Sequence, residues 1–167
     1  MKADQTLLYQ HVDFLTSLRP FRNHLNTASL DRVCDYMKQE FSSYGLQVSE
    51  QPFEAGDLNY RNVIASYNSG KRRRLIVGAH YDVFGDQPGA DDNGSAVAGL
   101  LESARLVAEG QPTIDYRIDF VAFSLEEPPY YGTHEMGSYV HAKSVKDQKD
   151  DLIGMINFEM IGFFNDD

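Results

Sequence analysis

The sequence predicts an α/β fold in which a mixed, mainly parallel, twisted sheet is flanked by helices. In the second half of the chain, apolar strand-like runs alternate with helical stripes, which is typical of parallel strands joined by crossovers. In the first half, two strand-like runs flank residues 68–71, Asn-Ser-Gly-Lys, a good turn for an antiparallel hairpin. No internal repeat or low-complexity linker divides the chain, so one domain over residues 1–167 is expected.

Two helices are expected first. Residues 6–18 place apolar side chains at helical spacing before Pro20 ends the segment. A second helix is predicted from Thr27 or Ser29 to Gly45, because one apolar stripe recurs there at i, i+3, i+4, i+7 and i+11. The only cysteine, Cys34, lies within this stripe and is expected to be a buried core residue without a disulfide.

Strands and helices then follow in order. Strands are predicted over 46–53, 61–67 and 74–81, with the basic cluster 71–74 at a solvated hairpin tip. The remaining predicted elements are a helix over 93–109, a strand over 116–125, a short helix over 134–144 and a strand over 152–164.

Composition excludes several classes of protein. With 42% hydrophobic residues the chain can bury a core, which argues against global disorder. The 15 basic and 25 acidic residues give a net charge of −10, which argues against a nucleic-acid binder because phosphates require a basic face. The first 18 residues contain no long apolar run, so neither a secretory leader nor a membrane span is predicted, and a cytoplasmic location is favoured.

Chemistry-bearing residues follow the predicted strands, where open α/β sheets build their sites. His80 and Asp82 end one strand on the same face, so the carboxylate can orient the imidazole for metal binding. A structural histidine is the alternative. Asp91 and Asp92 lie in a glycine-flanked turn that opens a helix; capping explains one acid, and a rigidly held metal ligand would explain a second.

Two further strand ends carry candidate metal ligands. Glu126 and Glu127 leave the most hydrophobic strand before a double proline, so one carboxylate can bind metal while the other handles a proton. Glu159 stands in an apolar run, where an expected buried carboxylate would need a cation. One imidazole with several carboxylates and no usable thiol suits zinc or a similar divalent ion in a catalytic site.

Four segments, taken in order, resemble the co-catalytic zinc aminopeptidases and the related zinc-dependent glutaminyl cyclases. They are GAHYD, PGADDNGSA, FSLEE and MINFEMIG, and the match covers roughly residues 60–165. The resemblance implies a zinc-exopeptidase-like fold, one or two zinc ions and hydrolysis of the N-terminal residues of peptides. It also implies that Glu126 is the general base, taking a proton from water and returning it to the leaving amine.

The same resemblance implies the ligands. His80 and Glu159 would hold the first zinc, Asp91 would bridge both ions and Glu127 would bind the second. The family usually has aspartate at the position of Glu159, so the side chain that would reach the first zinc is longer here. Asp82 would orient His80, and a cis non-proline peptide bond is expected directly after Asp91.

One ligand has no counterpart. The family's second zinc takes a histidine well downstream, and this sequence ends at Asp167, so a domain lacking its C-terminal part is expected. His134 is a weak substitute because histidines at helix starts are more often exposed, and His141 is expected on the surface. An incomplete sheet edge would favour self-association.

Three hypotheses remain open from the sequence. The first is a zinc aminopeptidase acting on peptides. The second is a glutaminyl-cyclase-like acyltransferase, which would use nearly the same residues. The third is a truncated, non-catalytic fragment that binds metal without turnover. Side-chain preference is not readable from the sequence.

Overall fold

The computed structural model describes residues 2–163 and contains four α-helices and five β-strands within them. The helices are α1 (Gln5–Ser17), α2 (Thr27–Ser43), α3 (Ala96–Gly110) and α4 (Gly137–Asp147), and the strands are β1 (Gln47–Ala55), β2 (Leu58–Tyr67), β3 (Arg73–His80), β4 (Arg117–Phe123) and β5 (Asp151–Asn157). The last strand is shorter than predicted, and Phe164, its predicted end, lies outside the described residues. None of the helices described is long and apolar enough to cross a membrane.

The five strands form one mixed sheet in the order β1-β2-β4-β3-β5, which confirms the predicted fold class. β3 pairs in parallel with β4 and β5, and β2 pairs antiparallel with β1 and β4. The parallel half places the carboxyl ends of β3, β4 and β5 at the same edge of the sheet. Residues that follow these three strands are therefore brought together in space.

The hairpin predicted between the second and third strands is wrong. β4 lies between β2 and β3, and the antiparallel hairpin is formed by β1 and β2 through a two-residue turn between Ala55 and Leu58. Asn68 donates its side-chain amide to the carbonyls of Ile114 and Tyr116, so the 68–71 turn is tied to the approach to β4 rather than closing onto β3.

The basic cluster is only partly a solvated tip. Residues 71–73 are exposed, whereas Arg74 is buried and pairs with Asp119 and Asp150 at the amino ends of the strands. Arg74 therefore belongs to a buried ion network, because its position at the start of β3 places it beneath the sheet edge opposite the strand carboxyl ends.

Most of the core lies on one face of the sheet. Apolar residues of α1, α2 and α3 pack there against β2, β3 and β4, and the stripe of α2, including Cys34, is fully buried as predicted. The other face carries a small cluster in which Val145 of α4 meets Ile76, Val121 and Phe123.

The two edges of the sheet differ in chemistry. β1 carries mainly polar side chains, whereas β5 exposes Leu152, Ile153, Met155 and Ile156 by 44% to 48% each. Successive side chains of a strand point to opposite faces, so β5 is apolar and exposed on both. Among residues 2–163, β5 pairs with β3 alone. An apolar edge strand of this kind is a template for pairing with another strand.

We therefore expect two copies of this chain to associate through β5. Sedimentation velocity should show a dimer fraction that rises with protein concentration. Ile153→Lys should lower that fraction because a charge on the exposed edge opposes pairing. Leu25→Lys, in the exposed loop between α1 and α2, should leave it unchanged. A wild-type chain that stays monomeric throughout, or a dimer equally weakened by both variants, would contradict self-association at this edge.

Candidate metal centre

Four segments converge at the carboxyl edge of the sheet. β3 ends at His80, and Glu126 and Glu127 follow β4. The irregular turn Ala90–Ser95 leads into α3 and contributes Asp92, and Glu159 follows β5 by two residues. Each side chain thus leaves an element held by backbone hydrogen bonds, which positions it more firmly than a free loop would.

The imidazole of His80 lies at the centre of this convergence. Its Nε2 atom is 3.2 Å from Asp92 Oδ1, 3.2 Å from Glu159 Oε1 and 3.7 Å from Glu126 Oε2. Two groups can each offer three ligand atoms within 4.8 Å of one another: His80, Asp92 and Glu159, and His80, Glu126 and Glu127. The two groups share the histidine and lie side by side.

The electrostatics favour a cation at this position. Burial by itself lowers the pKa of His80, but hydrogen bonds and charge interactions with Asp82 and Glu159 outweigh it and raise that pKa to about 10. Burial and the charge of Asp92 raise the pKa of Glu127 to about 7, with His80 opposing them. The imidazole is held positive and a carboxylate is pushed towards neutrality, as expected where negative charge is in excess.

Glu126 is in a similar environment. Burial raises its pKa above the ordinary range, His80 opposes this, and the charges of Asp82 and Glu159 add to it. The side chain is 29% exposed, so it is half-buried but still open to solvent. A carboxylate with a raised pKa and solvent access is suited to accept a proton and return it.

Asp82 joins the segment that follows β3 to the segment that follows β4. It is 1% exposed, and its two carboxylate oxygens accept hydrogen bonds from the backbone N–H groups of Glu126 and Glu127, each at 3.0 Å. Its Oδ1 also lies 3.4 Å from His80 Nδ1. Leu125 precedes the two glutamates with a φ of 60°, and this left-handed residue turns their amides towards Asp82. One carboxylate thereby positions three of the candidate site residues.

Three consecutive polar residues of the turn before α3, Asp91, Asp92 and Asn93, have separate roles. Asp91 Oδ1 accepts from the backbone of Gly162 at 2.9 Å and from the Ser95 hydroxyl at 3.1 Å. Asn93 is fully buried and bonds the backbone of Phe158 and Met160, the two neighbours of Glu159. Asp91 and Asn93 therefore both hold the loop after β5 in place.

Asp92, between them, is the residue that faces His80. Asp91, predicted as the bridging ligand, is in neither ligand group, because its carboxylate is engaged by the loop after β5. The cis peptide bond predicted between Asp91 and Asp92 lies one residue later, between Asp92 and Asn93.

Other predictions are corrected in the same region. Glu159, predicted to be buried, is 44% exposed, since the loop after β5 lies at the surface and only its carboxylate reaches the site. His141 is 4% exposed rather than on the surface, because α4 packs its ring against Phe123. His134 is exposed beside Tyr139 and belongs to neither ligand group.

The residues present fit a divalent metal ion. Asp92 Oδ1 is buried and, within the part of the chain described, has no hydrogen-bond donor, although a buried carboxylate oxygen requires a partner. One imidazole nitrogen and several carboxylate oxygens are the donors that catalytic zinc sites use. Cys34 belongs to neither ligand group, and its Sγ lies against the Tyr81 hydroxyl.

Sequence reasoning missed three residues of this region. The Asp91-Asp92 doublet gave no basis for choosing between its members, since each suits a helix start. In the sequence, Asn93 looks like an N-cap of the following helix, so nothing there indicated its bonds to the loop after β5. Arg22, which lies fully buried behind the turn, has no local motif around it.

Comparison with known proteins identifies the family of this chain. The model of Peptidase family M28 matches residues 62–167. The chain is 38% identical over 171 residues to the uncharacterised protein YfbL of Escherichia coli (strain K12), covering 98% of this chain and 51% of that protein. It is 32% identical over 117 residues to the probable lipoprotein aminopeptidase LpqL of Mycobacterium tuberculosis, covering 70% of this chain and 21% of LpqL.

The fold is also found among solved structures. Porphyromonas gingivalis glutaminyl cyclase superposes with a TM-score of 0.82 at 29% identity, covering 96% of this chain and 60% of that chain. The chain thus spans about half the length of YfbL and three fifths of the cyclase. With the family model matched over well over half of its residues, the chain belongs to Peptidase family M28.

Proposed function

We propose that this chain carries the metal-binding part of a zinc-dependent aminopeptidase, which hydrolyses N-terminal residues from peptides. The observation that carries the proposal is the approach of three carboxylates to His80 Nε2 at the carboxyl edge of the sheet. Support comes from membership of a peptidase family and from the name of LpqL, a probable lipoprotein aminopeptidase.

The first ion would be held by His80, Asp92 and Glu159, and Glu127 lies beside them for a second. When bound, zinc supplies a Lewis acid that polarises a carbonyl oxygen and lowers the pKa of water. We propose that Asp92, and not Asp91, would hold the ion, because its buried Oδ1 faces His80 while the carboxylate of Asp91 accepts from the loop after β5. The number of ions bound is part of the proposal.

Glu126 is proposed as the general base. Its raised pKa lets it take a proton from the attacking water and pass it to the leaving amine. Asp82 contributes by fixing the backbone of Glu126 and by lying against His80 Nδ1, so that Nε2 points to the ligand position. Asp82 is thus a positioning residue in this scheme.

A glutaminyl-cyclase-like activity is the second candidate, favoured by the 29% identity and TM-score of 0.82 to the P. gingivalis enzyme. The two activities differ in product. A peptide with N-terminal glutamine yields pyroglutamyl peptide and ammonia from a cyclase, and free glutamine with a shortened peptide from an aminopeptidase. A zinc-loaded chain that releases neither product would favour the third hypothesis, metal binding without turnover.

Asp92→Asn should weaken zinc binding by at least about 100-fold, because the variant loses the charge of a direct ligand. Affinity is measured by competition with a chromophoric chelator. Asp91→Asn is the matched control: its amide oxygen can still accept from Gly162, so its zinc affinity should stay near that of the wild type. The opposite order, with Asp91→Asn the weaker binder, would restore Asp91 as the ligand and overturn this assignment.

Glu126→Gln should abolish proton transfer while leaving zinc in place. We expect kcat on an aminoacyl-anilide substrate to fall by about 10²- to 10⁴-fold with unchanged zinc content. Glu109→Gln, in an exposed ion pair with Arg105 near the end of α3, should keep full activity. Undiminished activity in Glu126→Gln would remove Glu126 as the base, and loss of zinc together with activity would make it a ligand instead.

A further inference from the structure

Arg22 is a fully buried arginine whose position is unusual. It lies between α1 and α2 with 0% of its surface exposed, and among the ion pairs of residues 2–163 it has no carboxylate partner. A buried guanidinium must use its N–H donors, since an unpaired buried charge is costly. The four hydrogen bonds that its side chain donates within residues 2–163 all end on backbone carbonyls.

Three of these carbonyls belong to the segments that carry the metal ligands. Nε donates to Tyr81 at 2.8 Å, directly after His80 and directly before Asp82. Nη1 and Nη2 donate to Pro88 at 2.6 Å and Gly89 at 2.7 Å, just ahead of the turn that presents Asp92. The fourth bond, from Nη1 to Leu15 at 3.0 Å, anchors the group to α1.

The Gly89 carbonyl links this arginine to the ligand turn itself. It also accepts the N–H of Gly94 at 3.1 Å, so one oxygen is shared by the guanidinium and the far side of the turn. Gly89 has a φ of 61°, and a Cβ there would lie 2.9 Å from Nη2, 2.5 Å from the Asp92 carbonyl and 2.2 Å from a Val83 methyl. The chain closes onto Arg22 here because glycine leaves room.

Charge gives a second link. Burial lowers the pKa of Arg22 to about 10, and the charges of Asp82 and Asp92 oppose that effect. The guanidinium therefore remains positive at neutral pH, and the anions that act on it are two carboxylates of the candidate site. It lies behind the ligands as a fixed cation rather than among them.

We propose that Arg22 is a positioning residue for the metal centre. Its planar guanidinium fork holds the end of β3, which carries His80, in a fixed position relative to the turn that carries Asp92. The two ligands are therefore preorganised before an ion binds. The inference rests on the proposed zinc site, yet it concerns assembly of that site and not the reaction performed there.

The test compares zinc affinity and backbone protection in three variants of the full chain. Arg22→Met removes the fork and the charge, Arg22→Lys keeps the charge without the fork, and Arg74→Met removes a buried arginine at the opposite edge of the sheet. Zinc affinity is measured by chelator competition, and amide hydrogen exchange of residues 83–94 is followed in the metal-free chain.

We expect Arg22→Met to weaken zinc binding by about 10- to 100-fold and Arg22→Lys by less, as found for groups that support metal ligands. Exchange over residues 83–94 should accelerate in both, whereas Arg74→Met should change neither readout in that segment. Affinity within about twofold of wild type in both Arg22 variants, or an equal loss in Arg74→Met, would overturn the proposal.

The test remains decisive if one variant does not fold or if the wild-type chain binds no zinc. If Arg22→Met does not fold, Arg22→Lys decides alone: weaker binding with faster exchange supports the fork, and wild-type values reject it. If the wild-type chain binds no zinc, the proposed function fails, but the exchange comparison in the metal-free chain still tests whether Arg22 holds the ligand turn.

Discussion

Mutual repulsion among carboxylates is the constraint on which this structure depends. Asp82, Asp92, Glu126, Glu127 and Glu159 meet around one imidazole, and like charges about 4 Å apart repel by about 4 kcal/mol at an effective dielectric constant of about 20. The chain offsets part of this cost itself. Asp82 accepts two backbone N–H groups, His80 is held positive, and Arg22 lies behind the turn. The remainder is what a divalent cation would neutralise.

The fold supplies these compensations through its parallel half. β3, β4 and β5 run in the same direction, so their carboxyl ends deliver the ligands to one edge. Backbone and side-chain bonds then cross between the delivered segments: Asp82 to the residues after β4, and Asn93 to those after β5. The site is thus held from several strands at once, with His80 at the end of β3, Glu126 and Glu127 three and four residues after β4, and Glu159 two residues after β5.

Much of this was readable from the sequence. Apolar periodicity located the helices and strands to within a few residues, except that the last strand ends at Asn157, seven residues before its predicted end. The placement of His80, Glu126, Glu127 and Glu159 after strands was enough to bring them to one edge. Periodicity reports burial along one segment and carries no information on which strands are neighbours. The insertion of β4 between β2 and β3 therefore could not be foreseen, and the burial of His141 under α4 depends on the same long-range packing.

Which of Asp91 and Asp92 faces His80 could not be read from the sequence for a related reason. Adjacent acids in a turn point in different directions, and Asp91 is engaged by Ser95 and by Gly162, a residue some seventy positions away. Arg22 was the hardest residue to predict, since its acceptors are the backbone carbonyls of residues 15, 81, 88 and 89. Every residue has such a carbonyl, so the sequence does not indicate which ones accept. The cytoplasmic location and the single-domain organisation stay predictions.

We propose that a divalent ion completes the cluster around His80. A crystal of the chain soaked in zinc, with diffraction data collected on both sides of the zinc absorption edge, would locate that ion. We expect an anomalous peak between His80 Nε2, Asp92 Oδ1 and Glu159 Oε1. Peaks elsewhere on the protein, with none between these three atoms, would contradict it.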